Sequence, residues 1–351
     1  MKKITLLLLA ASVSLAAQAQ AEKSNPLSFE GSYMGDFYYN TTGGLATGGG
    51  FMGMANLTVG FDTEAAGWWR GGSFFVNGAS IHGKSLTEHY LGDMQVASNI
   101  DAGEYAYMHE LWYKQQLGAV SVTLGLQDLN AEFMVSEGAG EFLNSSFGVP
   151  PVIATGIPVP IFPLTGLGVS ARWEIDGQWA VQAALFDGNQ TPFDRNPHNI
   201  RWRFGRDDGL LTMGEVHYAG RFKAGAYYHS ADGNYGFYAL ADQPLTDRLS
   251  LFGQLAIAPK SKNDNNYSIG LGANWFIAER HALGLAATHA GLHTASHRHE
   301  TALEFYYKFT LNDRIALQPD FQYILNPSGT ETKLPNALVG MLRVHINLGA
   351  K

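Results

Sequence analysis

Residues 300–311 fall into two sets: Leu303, Phe305, Tyr307, Phe309 and Leu311 alternate with Glu304, Tyr306, Lys308 and Thr310. Successive side chains of an extended chain point to opposite faces, so this segment is a strand with one apolar and one polar face. The pattern recurs. In 315–325, Ile315, Leu317, Phe321, Tyr323 and Leu325 oppose Gln318, Asp320 and Gln322; near the end, Leu338, Leu342, Val344, Ile346 and Leu348 oppose Arg343, His345 and Asn347. Sixteen such segments run from 27–40 to 337–348, most of about nine to twelve residues, the length a tilted strand needs to cross a bilayer core. An even strand number fits a bacterial single-chain barrel.

Lipid on one side and water on the other produces this sorting, because a cation facing mid-bilayer costs about 2–4 kcal/mol. Closure then follows, since lipid offers an open sheet edge no hydrogen-bond partner. The connections point the same way. Those after every even-numbered segment are short (Gly220, QPLTDR, AERH and LNDR among them), and several after odd-numbered ones are long. That is the asymmetry of periplasmic turns and outer loops. The expected fold is therefore an all-β, transmembrane, antiparallel up-and-down barrel. Tyr38, Tyr39, Trp68, Trp69, Tyr105, Tyr107, Trp275 and Tyr323 sit near strand ends, where interfacial girdles form.

Composition enters where it excludes partners. Charged residues make up 15% of the chain, against roughly 25% in soluble globular proteins. The net charge of −8 argues against nucleic acid as a partner. The chain has no cysteine, so nothing is stapled. Met1–Lys2–Lys3 and the short apolar run ITLLLLAASVSLA read as a secretory signal over 1–21, cut after Ala21. Residues 22–351 then form a single outer-membrane domain.

The alternation stops between VSVTLGLQD (Val120 to Asp128) and LGVSARWEI (Leu167 to Ile175). Prolines 150, 151, 158, 160 and 163 exclude helix and central strand from 129–166, yet Phe133, Phe142, Phe147, Ile153, Ile161 and Phe162 are too many for a solvated tether. The expectation is a long loop folded into the barrel as a constriction; a surface lid packed on its own side chains is the alternative.

AEFMVSEGAGEFLNSSFG (Ala131 to Gly148), preceded by LWYKQQL, resembles the carbohydrate-selective porin family of the OprB type. ETALEFYYKFTLNDRIALQPDFQYILNPSG (Glu300 to Gly329) and the closing ALVGMLRVHINL resemble its C-terminal strands. The resemblance implies a sixteen-stranded outer-membrane channel for passive diffusion of sugars such as glucose, with a waist of charged and aromatic side chains. The chain departs from the usual aromatic barrel terminus by running through Leu348 to Gly349–Ala350–Lys351. Monomer and homotrimer both stay open.

Selectivity in a wide barrel arises at its narrowest point, from diameter and from lining donors and acceptors. Arg172, Glu174, Glu110, Asp128, Lys308, Asp320 and Arg343 are the charges on expected lumen faces. Guanidinium forks and carboxylates suit sugar hydroxyls; the same residues equally read as ion pairs that brace the wall. Arg201, Arg203 and Arg206 form a cluster in a long outer loop, at the pore mouth or against lipopolysaccharide phosphates. His293, His297 and His299 lack regular ligand spacing, and GGLATGGGFMG (Gly43 to Gly53) lacks the helix and lysine of a phosphate loop. No metal, cofactor or catalytic residue is expected. The competing class is a barrel whose loops do the work, a lipid-modifying enzyme or an adhesin.

Overall fold

The computed structural model describes residues 25–205, 207–294 and 296–349; the signal segment 1–21 lies outside the described residues. Sixteen strands follow in chain order: β1 Leu27–Thr42, β2 Gly48–Asp62, β3 Gly72–Gly83, β4 Tyr105–Leu117, β5 Val120–Gln127, β6 Gly166–Glu174, β7 Trp179–Asp187 and β8 Leu210–Tyr218. The second half comprises β9 Phe222–His229, β10 Asn234–Pro244, β11 Leu249–Ile257, β12 Asn265–Ala278, β13 His281–Leu292, β14 His299–Asn312, β15 Ile315–Leu325 and β16 Ala337–Asn347. Each pairs antiparallel with its sequence neighbour, and β1 pairs with β16 to close the barrel. Among the described residues no helix is long and apolar enough to cross a membrane. The strands carry that role.

The two faces sort as the alternation predicts. On β14, Leu303 and Phe305 are exposed while Glu304 and Tyr306 are buried; on β15, Phe321 and Tyr323 are exposed while Asp320 and Gln322 are buried. An apolar side chain exposed beside a buried carboxylate inverts the arrangement of a soluble protein and matches lipid outside.

Three boundaries differ from the sequence reading, each for a local reason. Gly48–Gly50 belong to β2 and not to a flexible loop, so the β1–β2 connection is only 43–47. A Cβ at Gly50 would collide with the Tyr38 ring and hydroxyl, so glycine there makes room for a large aromatic neighbour. The third segment, which alternation alone places at 68–81, begins as β3 only at Gly72. The Asp62 carboxylate caps the turn by accepting from Glu64 N (2.8 Å) and Ala65 N (3.0 Å), and Gly67 and Gly71 take positive φ, so Trp68 and Trp69 lie in the turn. Asp128 stands just past β5, where its carboxylate accepts from Asn130 N (2.8 Å) and starts a short 3-10 turn.

The outward face should tolerate no cation at mid-strand. Leu285 on β13 is 64% exposed. Leu285→Arg should reduce the yield of heat-modifiable folded barrel, at a cost of about 2–4 kcal/mol, whereas Thr310→Arg on the opposite face of β14 should assemble. Equal yields would place both positions in the same environment.

Candidate functional site

The segment joining β5 to β6 is anchored on the buried face of the wall. Phe133, Phe142, Phe147 and Ile153 are each at most 1% exposed. Phe142 meets Tyr306 of β14 edge-on at 5.0 Å between ring centres, and Phe147 meets Phe252 of β11 at 5.7 Å. Its prolines permit only short turns and one helical turn, Pro151–Ala154, so many backbone amides lack regular partners. Side chains of the wall supply them. Glu304 accepts from Leu143 N (2.5 Å) and Asn144 N (3.0 Å). Glu215 of β8 accepts from Met134 N (2.9 Å), and Asp242 of β10 from Gly138 N (3.0 Å) and Ser136 Oγ (2.7 Å).

A second segment, 84–104 between β3 and β4, is held in the same way. The sequence reading left it as an outer loop. Glu300 accepts from Met94 N (2.8 Å) and Gln95 N (2.9 Å), Gln322 Nε2 donates to Ala97 O (2.7 Å), and Thr288 Oγ1 donates to Gln95 Oε1 (2.8 Å). The two segments also touch: Asn99 N donates to Leu143 O (2.7 Å) and Ser145 N to Val96 O (2.9 Å).

The predicted charges divide into fasteners and an open group. Arg343 makes a two-pronged pair with Asp36 of β1 (Nε–Oδ1 and Nη2–Oδ2, both 2.7 Å) and reaches Asn99 Oδ1 at 2.8 Å; both side chains of the ion pair are at most 8% exposed. Lys308 pairs with Glu141 of the long segment at 2.7 Å. Asp320 is buried, accepts from Gln322 Nε2 at 3.2 Å and has an Oδ2 without a partner. Asp128 lies 3.4 Å from His109 Nε2, and Glu110 accepts from Trp112 Nε1 at 3.1 Å.

Arg172 and Glu174 are different. Arg172 Nε donates to Glu174 Oε1 (2.6 Å) and Nη1 to Gln182 Oε1 (3.1 Å), with side-chain exposures of 29% and 54% for the ion pair. Beside them Lys114 reaches Glu132 of the long segment at 3.0 Å, and His217 meets Glu215 at 2.5 Å. A small recess, with room for about one water, lies between Lys114, Thr123, Glu132, Ser170, Arg172 and Gln182. The structure thus brings Arg172 and Glu174 together with Lys114, Glu132, Glu215 and His217, none of which the sequence reading singled out. Lys308, Asp320 and Arg343 lie across the barrel on β14–β16. Arg201 and Arg203 are exposed in the 188–209 connection, away from either group, and Arg206 lies outside the described residues. Among the described residues no cluster of histidine and carboxylate could hold a metal ion.

Comparison with known proteins fits this architecture. The family profile described as "Carbohydrate-selective porin, OprB family" matches residues 48–247 and 222–348. The chain belongs to that family. The porin is 22% identical over 395 residues to Porin B of Pseudomonas aeruginosa, covering 90% of this chain and 86% of that protein. It superposes on the high-pH structure of Pseudomonas putida OprB with a TM-score of 0.80 at 18% identity, over 92% of this chain and 94% of the other. A BenF-like porin from Pseudomonas fluorescens Pf-5 gives a TM-score of 0.54 at 9% identity, over 92% and 99%. At these identities the structures establish the fold alone: a closed sixteen-stranded antiparallel barrel. The porin is not an enzyme.

Two anchors of the porin are testable. Asp36 is fully buried against Arg343. Removing one partner of a buried pair strands the other charge at a cost of about 3–5 kcal/mol, while replacing both apolarly is often neutral. Asp36→Ala should therefore lower the unfolding midpoint in detergent far more than Asp36→Ala with Arg343→Met. If both fall equally, the pair is no fastener.

Asp93, in the segment 84–104, accepts from Thr87 Oγ1 and Ala97 N, both at 2.8 Å. Burial pushes its carboxyl up to about 6 from 3.8, and the neighbouring Asp101 adds to this. A raised acid costs the folded segment increasingly between about pH 4 and pH 6 and a constant amount above. Protection of the Ala97 amide from hydrogen exchange, corrected for intrinsic rate, should rise when pH falls from 7 to 5. A flat profile would remove Asp93 as the controlling group.

Proposed function

We propose that the barrel is a passive channel for small, glucose-like sugars, with the segments 84–104 and 129–166 folded inward to narrow a water-filled lumen. The observation that carries this reading is that wall side chains from β8, β10, β14 and β15 bind backbone groups of those segments. Strands that far apart around a closed sheet share only their inner side. Four of the side chains left partly open, Arg172, Glu174, Lys114 and Glu132, offer charged donors and acceptors in balance. Such a lining can exchange hydrogen bonds with a neutral polyol as it sheds water, which is how a pore discriminates at close quarters. The exposed apolar belt meets outer-membrane lipid, and Arg201 and Arg203 stand at the mouth, where lipopolysaccharide phosphates or entering solutes would meet them.

The test is single-channel conductance in a planar bilayer with sugars titrated into the bath. Joining Phe147 to Leu164, which deletes Gly148 to Pro163, should raise conductance and weaken discrimination between sugars and other solutes of similar size. Arg172→Gln should alter sugar block more than Arg201→Gln. A deletion variant that assembles with unchanged conductance and block would place the segment outside the permeation path.

A further inference from the structure

Beside the Lys114–Glu132 pair, the wall carries a feature that the loop anchors leave unused. Phe75 of β3 and Trp112 of β4 are directly opposite in register, with ring centres 4.8 Å apart and planes 21° from parallel. Their sequence neighbours Phe74 and Leu111 are exposed on the apolar belt, so the stacked pair faces the other way. The aromatic wall residues Tyr238, Phe252 and Tyr306 are buried in clusters with the long segment, whereas Phe75 and Trp112 stay partly open.

Polar groups surround the pair. Trp112 Nε1 donates to Glu110 Oε1, and Lys114 Nζ lies 5.7 Å from the centre of the Trp112 ring. Asn77, two residues from Phe75 and opposite Glu110 in register, is 8% exposed and has a buried Oδ1 with no hydrogen-bond partner. A buried acceptor left unpaired is costly, and an incoming donor relieves that cost. Loop amides satisfy the carboxylates of Glu215, Asp242, Glu300 and Glu304, whereas Asn77 is left facing the same side as the open aromatic pair.

We propose that Phe75 and Trp112 form a stacking surface for the C–H face of a pyranose ring, with the Asn77 Oδ1 accepting from one of its hydroxyls. The inference rests on the sugar-channel reading and deepens it by placing a subsite. A pyranose has flat apolar faces and a rim of hydroxyls, so an aromatic floor with polar groups at its edge matches both parts. Glu110 and Lys114 supply an acceptor and a donor at that edge. A linear hexitol is comparably rich in hydroxyls but has no rigid apolar face, and the stack gains little from it.

The experiment measures block of ion current by glucose and by sorbitol through single channels of the full chain. In the unaltered protein glucose should block at lower concentration than sorbitol. Trp112→Ala should raise the half-blocking glucose concentration about two- to tenfold, the range that ring stacking converts to, and leave sorbitol unchanged. Trp112→Phe, which keeps an aromatic face, should recover part of the difference, and Trp275→Ala on the exposed face should change neither solute. Heat-modifiability of each variant separates a lost subsite from a misfolded barrel, and Trp112→Phe carries the test should the alanine variant misfold. If the unaltered protein shows glucose block and both Trp112 variants keep it, the subsite is overturned while the sugar channel stands. If glucose does not block the unaltered protein, both readings fall.

Discussion

The structure depends on acidic side chains of the wall accepting hydrogen bonds from loop backbone. A barrel in lipid closes its own strand-to-strand hydrogen bonds and owes nothing further on its outer face. Irregular chain packed against its buried face does owe something, because turns and proline-rich stretches leave amides without partners. Glu215, Asp242, Glu300 and Glu304 meet that debt, three of them by accepting from two loop donors each. Charge-assisted bonds of this kind are about twice as strong as neutral ones and offset part of the cost of burying the carboxylates. Glu300 takes a third amide, Ser328 N at 2.6 Å, and so ties the β15–β16 connection to the segment 84–104.

Apolar packing then fixes what the carboxylates have oriented. The rings of Phe142 and Phe147 stand against Phe252 and Tyr306, and Leu129, Phe133, Met134 and Ile153 share a buried cluster with wall residues from β7 to β11. Removing such a ring costs about 3–5 kcal/mol in a packed core. A loop fastened by both means is a fixed part of the wall, and a fixed wall can discriminate among solutes without being ordered anew at each passage.

Much of this was legible in the sequence because a barrel in lipid enforces period-two alternation strictly. The last strand, read as 337–348, is observed at Ala337–Asn347, and Glu304, Asp320 and Arg343 were assigned to the correct face. Boundaries failed where a turn is made by side-chain capping, as Asp62 does, or where glycines continue a strand to admit a neighbouring ring, as Gly50 does for Tyr38. The anchoring role of Glu215, Glu300 and Glu304 was not legible. Alternation says which way a residue points and nothing about what comes to meet it across the barrel. The segment 84–104 was missed for the same reason: its apolar content is modest, and its hold on the wall comes from Gln95, Ser98 and Asn99 bonding to residues distant in sequence.

The division of charges follows from that architecture. Net charge alone, −8 over the chain, would describe an acidic pore. Yet the carboxylates of Asp36, Glu141, Glu215, Glu300 and Glu304 are turned to loop amides or to a paired cation and are nearly inaccessible. Among the charges that remain partly open are the pairs Lys114 with Glu132 and Arg172 with Glu174, two cations against two anions. On the proposed channel reading, a solute passing these two pairs would meet a hydrogen-bonding surface of balanced charge, because several other carboxylates are engaged in holding the loops. In such a lining an ion finds each attraction offset by an adjacent repulsion, whereas a hydroxyl can donate to one member of a pair and accept from the other. On the proposed channel reading, a preference for neutral polyols would follow from the way the loops are fastened.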